Sequence, residues 1–232
     1  MTQPDLSERI AAAARTLSSE RDVQHTLAAS VGLATELIEG CDEAGVSIVH
    51  RHRAIETPAA TSELVERGDK LQYEFQQGPC LDAIWDQETV HSPDLASEVR
   101  WPVWGPRVVD ELGVRSMLCF RLFTAADTLG ALNLYSRRAG AFTEDDAIEG
   151  LALAAHVAVA LVSATEIEGL NAAAVNRTVI GQAQGILMER YDIDSERAFS
   201  LLRRVSQDSS QRLRWIAAEL VRTRKVPGVG AE

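Results

Sequence analysis

Apolar positions in residues 5–39 recur at helical spacing, with Val23, Leu27, Val31, Ala34 and Ile38 on one face, and the segment reads as helix. Ser19 followed by Asp22 resembles an N-cap, and Gly40 closes the run as a C-terminal glycine does. The period then changes. Residues 44–50 are rich in β-branched side chains and read as a strand, Pro58 within 57–60 marks a break, and 62–75 read as helix. Gly78-Pro79-Cys80 opens another helix, since proline is tolerated in a first turn. Pro93, Pro102 and Pro106 punctuate a loop-rich stretch. Residues 116–123 and 130–136 read as strands joined through Ala125-Ala126-Asp127-Thr128; the second alternates, with Ala131, Asn133 and Tyr135 on one face and Leu132 and Leu134 on the other. The pattern predicts an α+β domain, an antiparallel sheet flanked by helices.

Thr143 with Asp146 three residues on reads as a cap, and from 144 to about 180 no proline occurs. A continuous helix of that length spans about 55 Å and is too long for one small domain to bury, so a second copy of the chain is the simplest partner. Leu153, Val157, Ala160, Ala164 and Ile167 form a stripe that suits either a homodimer seam or packing on the sheet. Two shorter helices follow: Ala198, Leu201, Leu202 and Val205 recur at helical spacing, as do Leu213, Ile216, Ala217 and Leu220. Asp208 and Gln211 resemble a capping box between them. The expected division is an α+β domain over 1–165, an all-α three-helix module over 166–226 whose first helix continues the connector, and a tail, 227–232, that starts at Pro227.

Composition narrows the classes. No run reaches the ~18 uninterrupted apolar residues of a membrane span, and the start of the chain lacks a secretory pattern. Three widely spaced cysteines, Cys41, Cys80 and Cys119, without a CxxC argue against a disulfide framework or zinc site and suit the cytoplasm. The net charge is -11, yet residues 171–225 hold ten basic and six acidic side chains, against 13 and 28 elsewhere. An acidic body with a basic C-terminal module hints at divided labour, although such a balance also suits a solvated helical surface.

The string Ile180-Gly181-Gln182-Ala183-Gln184-Gly185-Ile186-Leu187-Met188-Glu189-Arg190, with Ala198-Phe199, Leu202, Ala217 and Val221, resembles the ANTAR family of RNA-binding antitermination modules. Each glycine in a helix interior costs ~1 kcal/mol against alanine, so Gly181 and Gly185 fit a close approach by a helix or an RNA backbone. The resemblance implies a dimeric module that binds paired RNA hairpins near terminators and lets transcription read through, with loop bases read by stacking and edge hydrogen bonds. The implied RNA contacts are Arg177, Gln182, Gln184, Arg190, Arg203, Arg204, Ser209, Ser210, Arg212 and Arg214. Trp215, spaced with Ile216 and Leu220, reads as a packing residue more than a stacking platform. Gln184 stands where the family carries lysine, and Ser209-Ser210-Gln211 replaces an asparagine, so affinity or hairpin preference is expected to differ. A regulator acting on DNA or protein is the alternative, though the turn around 207–210 lacks the glycine of a helix-turn-helix.

Residues 20–165 resemble a GAF sensor domain of the kind fused to ANTAR modules in actinobacteria. The resemblance rests on residues 78–83, Asp94-Leu95 with Glu98, Arg100-Trp101-Pro102, residues 113–116 and 130–136, and Phe142-Thr143. It implies an unidentified small ligand held between the sheet and a lid of about residues 75–106, with Cys80, Asp94, Arg100, Trp101 and Asn133 as pocket residues. Asn133, Phe142 and Asp146 fit the skeleton of the cyclic-nucleotide signature, but Leu134 and Ala147 replace its lysine and glutamate, and the cofactor stays unknown. His50, His52 and His91 read as structural or exposed. Cys80 reads first as a small buried thiol; a thiol pKa lowered by its helix start is the basis of the alternative, a redox enzyme or sensor with Cys119 as partner. The expectation is a signal-responsive, non-catalytic regulator of antitermination in which the two domains are coupled.

Overall fold

The computed structural model describes residues 5–125 and 127–226; Ala126, the His52 side chain and the tail 227–232 lie outside the described residues. The chain divides into two compact units, residues 1–167 and 168–232. The first contains α1 (Leu6–Ser19), α2 (Val23–Leu37), β1 (Glu43–Val49), a 3₁₀ turn (Arg51–Arg53), β2 (Ile55–Ala60), α3 (Glu63–Phe75), α4 (Pro79–Trp85), β3 (Thr89–Ser92), α5 (Trp104–Leu112), β4 (Ser116–Phe123), β5 (Thr128–Ser136) and the start of α6 (Glu144–Tyr191). The second contains the end of α6, α7 (Ser195–Asp208) and α8 (Leu213–Thr223).

The strands form one antiparallel sheet in the order β2-β1-β5-β4-β3. Alternation along β5 settles what lies on each face. Leu132 and Leu134 point into a core shared with Leu17, Leu27 and Val31 of the first two helices and Leu153 and Val157 of α6. Ala131 and Tyr135 point the other way, toward Val65, Cys80, Ile84, Trp104 and Val108. A methyl group at Gly150 would stand 2.3 Å from the Phe120 ring, so this glycine lets α6 lie close on the sheet. Thr143 and Asp146 cap that helix reciprocally: the Thr143 N–H donates to the Asp146 carboxylate at 2.7 Å, and the Asp146 N–H to the Thr143 hydroxyl at 3.2 Å.

Several expectations need correction. The helix over 5–39 is two helices, because Asp22 caps α2 by accepting from the His25 N–H at 2.9 Å, which requires extended backbone at Asp22 (φ -134°, ψ 156°). The break at Pro58 is the edge strand β2, paired to β1 across a register irregularity between Val46 and Ile48. The stretch read as loop holds β3, four residues paired to β4, and α5, which carries Pro106 in its first turn. The stripe on α6 takes the sheet-packing option: Leu153, Val157, Ala160 and Ala164 are buried in the first unit. Elsewhere along this helix Ile148, Val159, Leu170 and Val175 are 58–70% exposed. This helix also has the length and apolarity of a membrane span, although part of that apolar stretch belongs to the first unit's core.

The second unit closes over Ala183, Leu187, Ala198, Leu202, Ile216, Ala217 and Leu220. Asp194 caps α7 by accepting from the Arg197 N–H at 2.8 Å. The Asp208–Gln211 box does not form. Asp208 is the last residue of α7, and α8 starts two residues beyond Gln211 with Arg212 at its N-cap and no side-chain cap. The turn is closed instead by hydroxyls, with Ser209 donating to the Val205 carbonyl and Ser206 to that of Gln211, and with Ser210 left-handed at φ 53°.

Candidate functional sites

On α3, Asp69, Gln72 and Tyr73 share the face turned to the sheet, because residues three and four apart lie on one side of a helix. Alternation in β5 sends Asn133 and Tyr135 to that same face, while β1 supplies Ser47, β2 Thr57 and α4 Cys80. These side chains close into one buried network around the Asp69 carboxyl. Five neutral groups donate to it: Gln72 Nε2 at 3.0 Å, Thr57 Oγ1 at 2.9 Å, Asn133 Nδ2 at 3.1 Å, Ser47 Oγ at 3.4 Å, and the Tyr135 hydroxyl. The Tyr73 hydroxyl is 2.7 Å from Ser47 Oγ and 2.9 Å from Thr57 Oγ1. Burial pushes the Asp69 carboxyl above the ordinary carboxylate range, against the pull of those donors.

Cys80 lies inside the network, its thiol donating to Ser47 Oγ at 3.2 Å and its backbone N–H to Gln72 Oε1 at 2.8 Å. Cys80 is the small buried thiol of the favoured reading, and the lowered pKa on which the redox alternative rested is not what its surroundings produce. Burial, followed by the Asp69 charge, pushes the Cys80 thiol up; burial likewise raises Cys119, and takes Cys41 to about 12. Thiolate, the reactive form, is therefore scarce at all three cysteines.

Of the five expected pocket residues, only Cys80 and Asn133 meet here. Asp94 accepts three hydrogen bonds from Arg115, at 3.0–3.1 Å. Arg100 is held by Glu98 at 2.6 Å and by the His91 carbonyl at 2.8 Å, with its guanidinium 4.4 Å over the Trp101 ring. The Trp101 indole donates to Asp82 at 3.0 Å. Asp94, Arg100 and Trp101 thus brace the segment between β3 and α5. The Arg100 hydrogen bonds hold the Glu98 carboxyl down at about 2.

Sequence reasoning missed Asp69, Ser47, Thr57, Tyr73 and Tyr135. The available signal was Asp69 and Gln72 in line with Val65, two polar side chains on the apolar face of a helix. A cavity of about 270 Å³ adjoins the network, bordered by Arg53, Ile55, Tyr73, Leu81 and Trp85, with the Arg53 guanidinium 4.4 Å over the Trp85 ring.

The second unit has a different character. Arg177, Arg190, Arg203, Arg204, Arg212 and Arg214 are exposed, and among the described residues none of them makes an ion pair or a side-chain hydrogen bond. Gln182 is exposed as well, and it lines an open groove of about 530 Å³ with Gly185, Arg190 and Arg224, the last not singled out from sequence. Gln184, another of the expected RNA contacts, donates its amide to the Ser195 carbonyl and hydroxyl, both at 3.1 Å, and so ties α6 to the start of α7. Ser209 and Ser210 form the α7–α8 turn, where the Ser209 hydroxyl is engaged by Val205. Methyl groups built on Gly181 and Gly185 meet nothing within 4 Å, so no helix of this chain accounts for those glycines. Trp215, expected to pack, is 49% exposed.

Residues 20–162 match the GAF domain family and residues 168–221 the ANTAR domain family. No curated protein matches. Among solved structures, a free methionine-R-sulfoxide reductase from Neisseria meningitidis in complex with its substrate is similar at 18% identity and TM-score 0.57, over 72% of this chain and 96% of that one. The GAF domain of a phosphoenolpyruvate-protein phosphotransferase from Coxiella burnetii aligns at 15% identity and TM-score 0.55, over 71% and 96%. The photosensory core of a Stigmatella aurantiaca phytochrome aligns at 10% identity and TM-score 0.60, over 92% of this chain and 45% of that one. At these identities the likeness shows the fold alone.

Proposed function

From the premise that the chain belongs to the GAF domain family and carries an ANTAR domain behind it, we propose a regulator that reads a small molecule in its first unit and binds paired RNA hairpins with its second. An ANTAR domain implies RNA-binding regulation of transcription antitermination, and a GAF domain a sensor; together they indicate a regulator and not an enzyme. The observation that carries the RNA reading is the set of six exposed, unpaired arginines on a basic module of an otherwise acidic chain. Phosphates attract such side chains, and arginine offers them a bidentate fork. The open face at Gly181 and Gly185 leaves room for a backbone to approach.

The protein acts in the cytoplasm as a homodimer, with the long helix α6 as the contact between copies and its exposed Ile148 and Val159 supplying apolar surface in the first unit. Ligand in the GAF unit changes how two ANTAR modules are presented together, and binding at either site thereby alters affinity at the other. An electrophoretic assay with a two-hairpin RNA tests this reading. The expected result is a shifted complex of two chains per RNA that single-hairpin RNA and duplex DNA fail to compete away. Retention of duplex DNA in preference to the hairpins makes this a DNA-binding regulator and overturns the RNA reading. The redox alternative is not favoured, because Cys80 and Cys119 are buried with raised thiol pKa values.

A further inference from the structure

The Asp69 network is rich in acceptors and lacks a positive charge. Its carboxyl is fully buried, and among the described residues no lysine, arginine or histidine pairs with it. Taking a carboxylate out of water without a counter-charge is costly. Asn133 adds to the surplus: its Oδ1 is buried with no hydrogen-bond partner, while its amide nitrogen already donates to Ser47 and Asp69. The hydroxyl oxygens of Ser47 and Thr57 can also accept.

Tyr73 borders this network on one side and the 270 Å³ cavity on the other. The cavity has a graded lining. Arg53 and Trp85 are exposed, Ile55 and Tyr73 half-buried, and Leu81 buried. A guanidinium therefore stands at the exposed end and hydrogen-bond acceptors behind the half-buried end, with apolar and aromatic walls between.

We infer that this cavity takes a small zwitterion with a flat or aliphatic body. Its cationic nitrogen reaches Asp69, Asn133 Oδ1 and Ser47 when the Tyr73 side chain turns aside, and its anionic group meets Arg53. The inference rests on the reading of the first unit as a small-molecule sensor. The position of the Asp69 carboxyl above its ordinary range agrees with it, since a bound cation would offset the desolvation that causes the shift.

Three probes of nearly equal size test the charge pattern on the full chain: 4-(aminomethyl)benzoate as zwitterion, 4-(aminomethyl)benzamide as cation, called the amine below, and 4-methylbenzoate as anion. Ligand that binds only the folded state raises the melting temperature with concentration. The expected order of shifts is zwitterion, then amine, then carboxylate, with a change in tryptophan fluorescence from Trp85. Asp69→Asn should weaken the amine at least tenfold. Arg53→Gln, at an exposed position whose guanidinium lies over the exposed Trp85 ring, should remove the advantage of the zwitterion over the amine. Tyr73→Phe loses the bonds to Ser47 and Thr57 and should tighten the amine. Arg53→Gln and Tyr73→Phe decide the matter if Asp69→Asn does not fold. An anion shift equal to that of the zwitterion overturns the inference, as does an Arg53→Gln protein that keeps the preference. If all three probes fail while a small-metabolite filtrate of cells still raises the melting temperature, the zwitterion class falls and the sensor reading stands; if the filtrate also fails, both fall.

Discussion

The two units of this chain treat polarity in opposite ways. The first brings polar groups inward: a carboxyl, two amides, two tyrosine hydroxyls and a thiol close on one another between sheet and helices, with Asn133 Oδ1 left over, and Asp94, Glu98 and Glu149 each hold an arginine. Among the described residues, the second keeps its interior free of polar side chains and leaves six arginines in water without partners. Enclosed polarity with an acceptor to spare suits a small partner that must be enveloped, whereas exposed charge suits a large one that stays outside. One chain thus carries both kinds of recognition surface, and the pairing of each charged side chain separates them where net charge does not.

The contrast can be broken most severely at the hydrophobic centre of the second unit. Leu202→Ala is expected to cost ~2–5 kcal/mol there, read as faster hydrogen exchange in residues 168–226 with the sheet amides unchanged. Equal loss in both units would mean that they do not stand apart. Next in size, replacing Arg203 and Arg204 by alanine should lower affinity for a two-hairpin RNA about tenfold per side chain, ~1.4 kcal/mol each. The slope of log affinity against log salt should become shallower by about one for each arginine replaced. The melting temperature should stay within the range of a surface change, and a large drop would show that these arginines support the fold.

Gln184 sharpens the comparison at one residue. Gln184→Ala removes two bonds to Ser195 and should cost ~1 kcal/mol, measured by chemical denaturation. Gln184→Lys should show a similar loss while raising RNA affinity at low salt, separating the structural part of this position from the electrostatic part. The smallest effect belongs to pH. In the folded chain the Glu98 carboxyl lies at about 2, down from 4.5. The unfolded chain therefore binds more protons in that interval, and the stability from the Glu98–Arg100 pair is complete above pH 4.5 and lost as pH falls toward 2. Glu98→Gln should flatten that part of the first unit's stability curve and leave the second unit's untouched.

Elements built on long periodic patterns were legible in advance: α6 with its Thr143–Asp146 cap, the alternating faces of β5, and the two-helix pattern of the second unit. Those decided by one residue or by distant pairing were not. A cap near Ser19 and Asp22 was legible, but not that Asp22 itself caps a new helix and so divides residues 5–39 in two. Four residues of β3 are too few to alternate visibly and are fixed by pairing with β4. The candidate site was half legible. Asn133 and Cys80 stood in recognisable strings, whereas Asp69 lies in a helix with several other acidic residues, and only the fold shows that it alone is enclosed among them. Arg100 and Trp101 misled for the converse reason: conspicuous side chains here hold a loop.

Pro58, which resembles an interruption in the sequence, has a consequence for how the molecule behaves among its neighbours. It sits in β2, one outer edge of the sheet, and removes an N–H donor from that strand. The opposite edge, β3, offers only four residues. An incoming extended chain finds no long ladder to extend at either side, so the sheet is guarded against the strand-by-strand growth that begins aggregation.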